Sequence, residues 1–255
     1  MLSPSKKAKL LVALKSYKKQ YLNSNLTELD ESGTRLMINS FLSDVLNYKP
    51  IEEIKTEYMI KGTYADYVVQ INGVRHFLVE VKALSFHLSE KHLRQTINYG
   101  ANEGIEWALL TNGKCFDFYR ILFNKPIEAR KIFSIDLTLA SNFKKESEMI
   151  QSLHRDEIVK KSLKMLWNRC EALNPFNIAS LLYSKNGINF IRKNIKKRTG
   201  EKCQEDDIIN SLNIIMLEKT DPLLVKPTRT SKQAKKIKQI KPEKIKKEEP
   251  LVTTT

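Results

Sequence analysis

Cysteine and histidine are scarce in this sequence. The three cysteines stand far apart, without a Cys-x-x-Cys pair: Cys115, Cys170 and Cys203. Their spacing argues against a zinc site and against a disulfide framework, and it fits a reducing compartment. The four histidines show no metal-ligand spacing, so we interpret them as surface or packing residues.

Long apolar runs and phosphate-binding glycine loops are lacking as well. No apolar stretch approaches the length of a membrane span, and lysines interrupt residues 1–22 too often for a signal peptide. We therefore expect no membrane segment and a cytoplasmic location. The pattern G-x-x-x-x-G-K-[ST] is missing, so we expect no P-loop motor within these 255 residues.

Positive charge is abundant instead. Lys and Arg number 44 against 29 Asp and Glu, which gives a formal charge of +15 and a pI near 9.6. Such a charge favours polyanionic partners, because each neutralised phosphate releases condensed counterions. Ten Lys and Arg residues lie between Lys226 and Lys247, where the sequence is rich in Lys, Pro and Thr. We expect this stretch to be a disordered tail, which either adds non-specific DNA affinity or is inert.

The apolar pattern of the first 140 residues predicts an α/β fold with a mixed central sheet flanked by helices. Helical spacing over residues 1–22 and 27–46 precedes two β-rich runs separated by Asn72-Gly73, a strong hairpin signal. Helical spacing returns over 88–103, and Asn112-Gly113 then separates two more strand-like runs.

The remainder has a different organisation. The pattern is purely helical from about 143 to 217. We therefore predict three parts: an α/β domain over 1–140, a small helical domain over 141–220 and a disordered basic tail over 221–255.

The first hairpin carries the residues that phosphodiester hydrolysis needs. Asp66 lies on its first strand. Glu80 and Lys82 are two positions apart on its second strand, so their side chains point to the same face. Carboxylates hold Mg²⁺, and a neighbouring lysine can orient or deprotonate water and offset developing charge. A Glu-x-Lys pair is common in such a charged chain, and Glu53-Ile54-Lys55 has the same spacing without a preceding acidic strand. The alternative for Glu80 and Lys82 is a solvent-facing ion pair.

These residues belong to a longer pattern that resembles the N-terminal nuclease domain of the type I restriction enzyme R subunit, of the PD-(D/E)xK superfamily. That family has an acid on a helix, an Asp-Tyr strand, Glu-x-Lys, a Gln-x-x-x-Tyr helix and a strand ending in Thr-Asn-Gly. The matching positions, within residues 27–122, are Glu31, Asp66-Tyr67, Glu80-Val81-Lys82, Gln95, Tyr99 and Thr111-Asn112-Gly113.

The resemblance implies a restriction-endonuclease-like fold and a Mg²⁺-dependent DNA endonuclease, with Mn²⁺ expected to substitute. It implies that the metal is held by Glu31, Asp66, Glu80 and the backbone carbonyl of Val81. Lys82 would be catalytic, and Gln95 and Tyr99 would support the metal waters or the scissile phosphate. The alternatives are surface exposure for Gln95, helix packing for Tyr99 and an ion pair with Arg35 for Glu31.

Basic residues supply candidate DNA contacts. Arg35 lies one helical turn from Glu31, and a helix near residue 190 carries four more on the faces opposite its apolar stripe: Arg192, Lys193, Lys196 and Lys197. The alternative for that helix is a solvated basic face.

Two functions from different classes follow. The first is a stand-alone DNA endonuclease in restriction, defence or mobile-element biology, with restriction-modification subunits as further partners. The second is a catalytically silent nuclease-fold module that binds DNA or a protein. A homodimer would suit double-strand cleavage, although no residue requires it.

Overall fold

The computed structural model describes residues 2–22, 29–60, 63–139 and 143–217; within these ranges the side chains of a few residues, Gln95 among them, are outside the description. The chain divides into two compact units, residues 1–181 and 182–255. The predicted tail over 221–255 lies outside the described residues. The predicted domain boundaries stay a prediction.

The first unit contains one six-stranded sheet in which each strand pairs with the next along the chain. The strands are β1 (Ile54–Ile60), β2 (Thr63–Ile71), β3 (Val74–Val81), β4 (Trp107–Thr111), β5 (Cys115–Leu122) and β6 (Glu128–Asp136). Strands β3 and β4 are parallel, whereas all other neighbours are antiparallel. The prediction of a mixed sheet is confirmed.

Both Asn-Gly pairs form hairpin turns. Asn72 and Gly73 have φ values of 50° and 78°, the left-handed conformations that a type I′ turn needs at both central positions. At the second turn Gly113 has φ 83°, and the Asn112 side chain accepts hydrogen bonds from the backbone N–H groups of Lys114 and Cys115 at 3.2 and 2.8 Å. The two predicted hairpins are therefore confirmed.

Helices flank the sheet. They are α1 (Pro4–Tyr21), α2 (Glu31–Ser40), α3 (Glu90–Glu103), α4 (Lys144–Ile150), α5 (Arg155–Ile158), α6 (Ser162–Ala172) and α7 (Pro175–Leu182). The Asp30 side chain caps α2 by accepting the Gly33 N–H at 2.7 Å, so this helix begins later than the predicted residue 27. A π-helical turn over Phe41–Val45 continues α2.

The alternation of β3 separates two cores. Val79 and Val81 are buried in the larger core together with Leu14 of α1 and Ile38 of α2. Leu78 faces the opposite side of the sheet and packs in a smaller cluster with Tyr99 of α3. Because side chains alternate along a strand, Glu80 shares the face of Leu78, beneath α3.

The second unit is described over residues 182–217. It contains α8 (Lys185–Thr199) and α9 (Glu205–Leu217). Ile188 is buried with Ile208 and Leu212, and Ile191 and Ile195 pack against them. The apolar stripe predicted for α8 is the face that contacts α9.

Candidate active site

The first hairpin brings the predicted acids and lysine together. Asp66 lies on β2, Glu80 on β3, and Lys82 directly follows β3. The Val81 backbone N–H donates to Asp66 Oδ2 at 2.7 Å, and Lys82 Nζ donates to Glu80 Oε1 at 2.6 Å. The register that pairs Tyr67 with Val79 sets this juxtaposition. The sequence spacing thus becomes one compact cluster.

Both carboxylates are buried, with 8% of Asp66 and 6% of Glu80 exposed. Burial raises the pKa of Asp66, although the Val81 N–H and the positive charges of Arg35 and Lys82 oppose this. Burial likewise raises the pKa of Glu80; the hydrogen bond from Lys82 opposes the increase, and the negative charge of Asp66 adds to it. Two desolvated carboxylates side by side are costly unless positive charge lies between or beside them.

Helix α2 supplies that charge through Arg35. Its guanidinium pairs with Asp66 through NH2, which also lies 3.3 Å from Glu31 Oε1. Its NH1 lies 3.7 Å from Glu57 Oε1. The Tyr67 hydroxyl donates to the Arg35 carbonyl at 2.8 Å and so ties this turn of α2 to β2. Arg35, expected as a DNA contact or as the ion-pair partner of Glu31, therefore pairs with Asp66 as well as with Glu31.

Lys82 is held by two acids. Besides Glu80, it lies 3.7 Å from Glu31 Oε2. Burial alone would lower the pKa of Lys82, but the hydrogen bond to Glu80 and the charges of Glu80, Glu31 and Asp66 raise it above its ordinary value. The ammonium form is therefore favoured at neutral pH.

These side chains line one cleft of about 430 Å³. Its walls carry four carboxylates and two cations: Glu31, Glu57, Asp66, Glu80, Arg35 and Lys82, with Ala65 between them. The cleft is therefore acidic although the chain as a whole has a formal charge of +15. An acidic cleft in a basic protein suits a cation that bridges protein and phosphate.

Helix α3 contributes one residue that the sequence pattern missed. Thr96 is fully buried and its Oγ1 donates to Glu80 Oε2 at 3.2 Å. Tyr99 is 2% exposed and packs with Val68, Leu78 and Ala65, of which Ala65 also lines the cleft. The side chain of Gln95 lies outside the described residues. The catalytic roles expected of Gln95 and Tyr99 stay predictions, and the packing of Tyr99 favours its alternative.

Glu57 is a second residue that the sequence did not point to. Its neighbours in β1, Thr56 and Tyr58, pair with Tyr67 and Ala65, so Glu57 stands opposite Asp66. Its φ of 47° is left-handed, a conformation that non-glycine residues seldom adopt. In this conformation the Glu57 carboxylate lies 3.7 Å from NH1 of Arg35.

Residues 30–132 match the family described as Type I restriction enzyme R protein N terminus (HSDR_N). This part of the chain is therefore similar to the N-terminal domain of that R protein. The match contains every cleft residue and the whole of α3. It confirms the resemblance found in the sequence. No curated protein and no solved structure matches the chain.

The cleft offers donors that fit Mg²⁺. The described residues that line the cleft include carboxylates but neither cysteine nor histidine, and Mg²⁺ prefers oxygen ligands. A strand residue directs its N–H and C=O to the same side, so the Val81 carbonyl points to the side of β3 on which Asp66 lies. Among the described residues, no three His, Cys, Asp or Glu side chains form a metal site by themselves. The backbone carbonyl and water would have to complete the set.

The other Glu-x-Lys of the chain, Glu53-Ile54-Lys55, has a structural role. Glu53 is 4% exposed, and both its carboxylate oxygens accept hydrogen bonds from Arg155, at 2.7 to 2.9 Å. The Lys49 backbone N–H donates to it as well, at 3.0 Å. This pair joins the start of β1 to α5, outside the cleft.

The predicted DNA-binding residues of the second unit lie on α8. Lys193, Lys196 and Lys197 are exposed. Arg192 is half-buried, and its NH1 lies 3.6 Å from Glu205 Oε1. Their contact with DNA stays a prediction, as does a homodimer. Among the described residues, no helix has the length and apolar character needed to cross a membrane.

Proposed function

We propose that the R-protein N-terminal domain of this chain is a Mg²⁺-dependent endonuclease that hydrolyses phosphodiester bonds in DNA. The observation that supports it is the meeting of Asp66, Glu80 and Lys82 in one acidic cleft. The similarity to a type I restriction enzyme R protein supports a restriction context, so defence against foreign DNA is the setting that we propose.

Asp66, Glu80 and the Val81 carbonyl would hold the ion, which supplies a polarised phosphate and an acidified water. Mn²⁺ would occupy the same donors, because it also prefers oxygen ligands. Glu31 is 41% exposed at its side chain and would act at the rim, through water or through Lys82. This assignment accounts for two buried acids that have few other reasons to lie side by side.

Lys82 would act as a cation. Because Glu80, Glu31 and Asp66 raise its pKa, it keeps its proton at neutral pH. A fixed ammonium beside the cleft can orient the attacking water and offset charge that develops on the phosphate. It becomes a proton acceptor only if the charge of Glu80 is first neutralised.

The partners that we propose are DNA and other subunits of a restriction-modification system, since the matched family is the R protein of such an enzyme. A cytoplasmic location follows from the proposed substrate.

A silent DNA- or protein-binding module is the second candidate. It is favoured by one observation: each oxygen of Asp66 and Glu80 already accepts a hydrogen bond, from Arg35, Val81, Lys82 or Thr96. If these bonds were permanent, the carboxylates would serve structure alone.

Plasmid cleavage separates the two candidates. Supercoiled and single-stranded DNA would be incubated with the full chain and Mg²⁺ or Mn²⁺, and with EDTA as the metal-free condition. We expect cleavage that EDTA abolishes and that Asp66→Asn, Glu80→Gln and Lys82→Met each reduce by about a hundredfold or more.

The matched controls are Lys49→Met and Glu52→Gln, an exposed pair with the same 2.6 Å separation as Lys82 and Glu80. They should cleave like the parent protein. Metal-independent cleavage, or equal loss in the control pair, would refute the proposal. Salt-sensitive DNA binding without any cleavage would identify the binding module.

A further inference from the structure

Arg35 occupies the open side of the Asp66 carboxylate. The Val81 N–H donates a hydrogen bond to Asp66 Oδ2, and the Arg35 guanidinium donates one to Asp66 Oδ1. The same guanidinium lies near two more carboxylates, at 3.3 Å from Glu31 and 3.7 Å from Glu57. One arginine thus gathers three negative groups around a single positive charge.

The geometry of this pair differs from that of a permanent structural ion pair. In the Arg155–Glu53 pair, Nε and NH2 of the guanidinium both donate to one carboxylate, the fork arrangement that arginine forms with a carboxylate at low cost. Arg35 uses NH2 alone on Asp66, and its Nε is buried without a hydrogen-bond partner among the described residues. A buried unpaired donor destabilises the position that Arg35 occupies.

The Arg35 side chain can also rotate away from Asp66 toward solvent. Its side chain is 32% exposed, and Glu57, at 74%, lies on the solvent side of the cleft. The guanidinium can therefore leave Asp66 by side-chain rotation while α2 stays fixed by the bond from Tyr67 to the Arg35 carbonyl. The departure requires no opening of the core.

We propose that Arg35 stands in for the divalent cation at Asp66 in the metal-free protein and transfers to a DNA phosphate when the cation binds. The inference rests on the proposed function. A second positive charge beside a bound dication is repelled, and the phosphate backbone is the nearest strong anion in a complex with DNA. Arg35 thereby couples the binding of metal to the binding of DNA.

The first test is metal binding without DNA, measured by titration calorimetry with Mn²⁺ on the full chain. Arg35→Gln removes the charge but keeps an amide that can donate to Asp66. We expect it to bind Mn²⁺ roughly tenfold more tightly than the parent protein, since a neighbouring charge shifts an ionic equilibrium by about that factor or more. Arg35→Lys keeps the charge and should bind like the parent.

Two further variants complete this test. Arg75→Gln removes the same charge from an ion pair with Glu103 outside the cleft and should leave Mn²⁺ affinity unchanged. Asp66→Asn should abolish binding. Equal or weaker Mn²⁺ binding by Arg35→Gln, with loss in Asp66→Asn, overturns the role of Arg35 but leaves the metal site standing. Binding that Asp66→Asn does not weaken overturns the proposed metal site itself.

The second test is DNA binding, measured by the fluorescence anisotropy of a labelled duplex in EDTA and in Ca²⁺, a dication that also takes oxygen ligands but does not require the octahedral geometry of Mg²⁺. We expect Arg35→Gln to match the parent protein in EDTA and to bind about tenfold more weakly in Ca²⁺. An equal loss in both conditions would mean that Arg35 contacts DNA without any exchange.

A measurement on the parent protein covers the case in which Arg35→Gln does not fold. In the ¹⁵N–¹H NMR spectrum, the Nε–H signal of Arg35, assigned by Arg35→Lys, should shift when Mg²⁺ is added. The signal of Arg155, fixed by its fork to Glu53, is the internal control and should stay in place. A shift in neither signal despite saturating metal overturns the proposal.

Discussion

Thr96→Val tests whether the hydrogen bond from Thr96 of α3 stabilises the negative charge of Glu80. Thr96 is fully buried, and its hydroxyl donates to Glu80 Oε2 at 3.2 Å. Valine keeps the shape of the side chain and removes the donor. A hydrogen bond to a charged group contributes about 1.5–3 kcal/mol. Because 3.2 Å is long for a hydroxyl donor, we expect a loss near the lower end, about 1.5 kcal/mol.

The sign of the pH dependence follows from the same bond. Thr96 stabilises the ionised form of Glu80, whose pKa burial already raises. The loss in Thr96→Val should therefore be complete above that raised pKa and should shrink as the pH falls through it and Glu80 becomes protonated. Urea denaturation in EDTA at about pH 8 and about pH 4 measures both limits.

A double-mutant cycle with Glu80→Gln isolates the charge term. In that background the acceptor is neutral, so Thr96→Val should cost only about 0.5 kcal/mol, which leaves a coupling of about 1 kcal/mol. Thr34→Val is the matched control, because Thr34 is equally buried but donates to the neutral Asp30 carbonyl at 2.8 Å. A cost for Thr96→Val that is the same at both pH values and in both backgrounds would refute the reasoning and leave Thr96 a packing residue.

Three further predictions concern other parts of the chain. Glu53→Gln should destabilise the fold by about 1.5–3 kcal/mol near neutral pH, because it removes the charge that accepts the hydrogen bonds of Arg155. Burial opposes a low pKa for Glu53, but the hydrogen bonds from Arg155 and the Lys49 backbone lower that pKa below its ordinary value. The difference in unfolding free energy between this variant and the parent, measured by urea denaturation, should therefore disappear as the pH falls through the lowered pKa. Gly100→Ala should lower the melting temperature, with a cost of about 1–3 kcal/mol, because an added Cβ would lie 2.6 Å from the Ile105 carbonyl oxygen. An unchanged or higher melting temperature would contradict this. Four basic residues of α8 would be replaced by glutamine: Arg192, Lys193, Lys196 and Lys197. The slope of log K against log salt for DNA binding should then decrease in magnitude by up to about 3–4. An unchanged slope would assign these residues to a solvated face.

The sequence predicted the parts of the site that depend on local geometry. Asn72-Gly73 fixes a two-residue turn, and alternation along β3 then places Glu80 and Lys82 on one face. Turn type and strand period are properties of short segments, so they can be read from residue order alone.

The partners of these residues depend on how helices pack on the sheet, which residue order does not specify. The contact of Arg35 with Asp66 needs a particular position of α2 over β2, and that of Thr96 with Glu80 needs α3 beneath β3. A threonine on the buried side of a helix has the sequence signature of packing. The position of Glu57 depends on its left-handed backbone conformation inside β1. The residue is neither glycine nor asparagine, so the sequence gives no sign of this conformation.

Strand β6 was also missed. Glu128, Arg130 and Lys131 give it the composition of a polar connection, whereas Phe133 and Ile135 are buried against the sheet. As an edge strand it faces a neighbour on one side only, and charged residues are typical of such positions. Its place in the sheet depends on pairing with β5, a tertiary interaction.

The order of strands along the sheet has a consequence for how the protein folds. Because, among the six described strands, each one after β1 pairs with its predecessor, none of them has to insert between two that are already paired. Contacts close in sequence form fastest, so the hairpin that bears Asp66, Glu80 and Lys82 can assemble before the remaining strands arrive. All residues of the cleft, together with Thr96, lie in one uninterrupted stretch from 31 to 96. One short segment of the chain therefore supplies every side chain of the cleft and the hydroxyl that donates to Glu80.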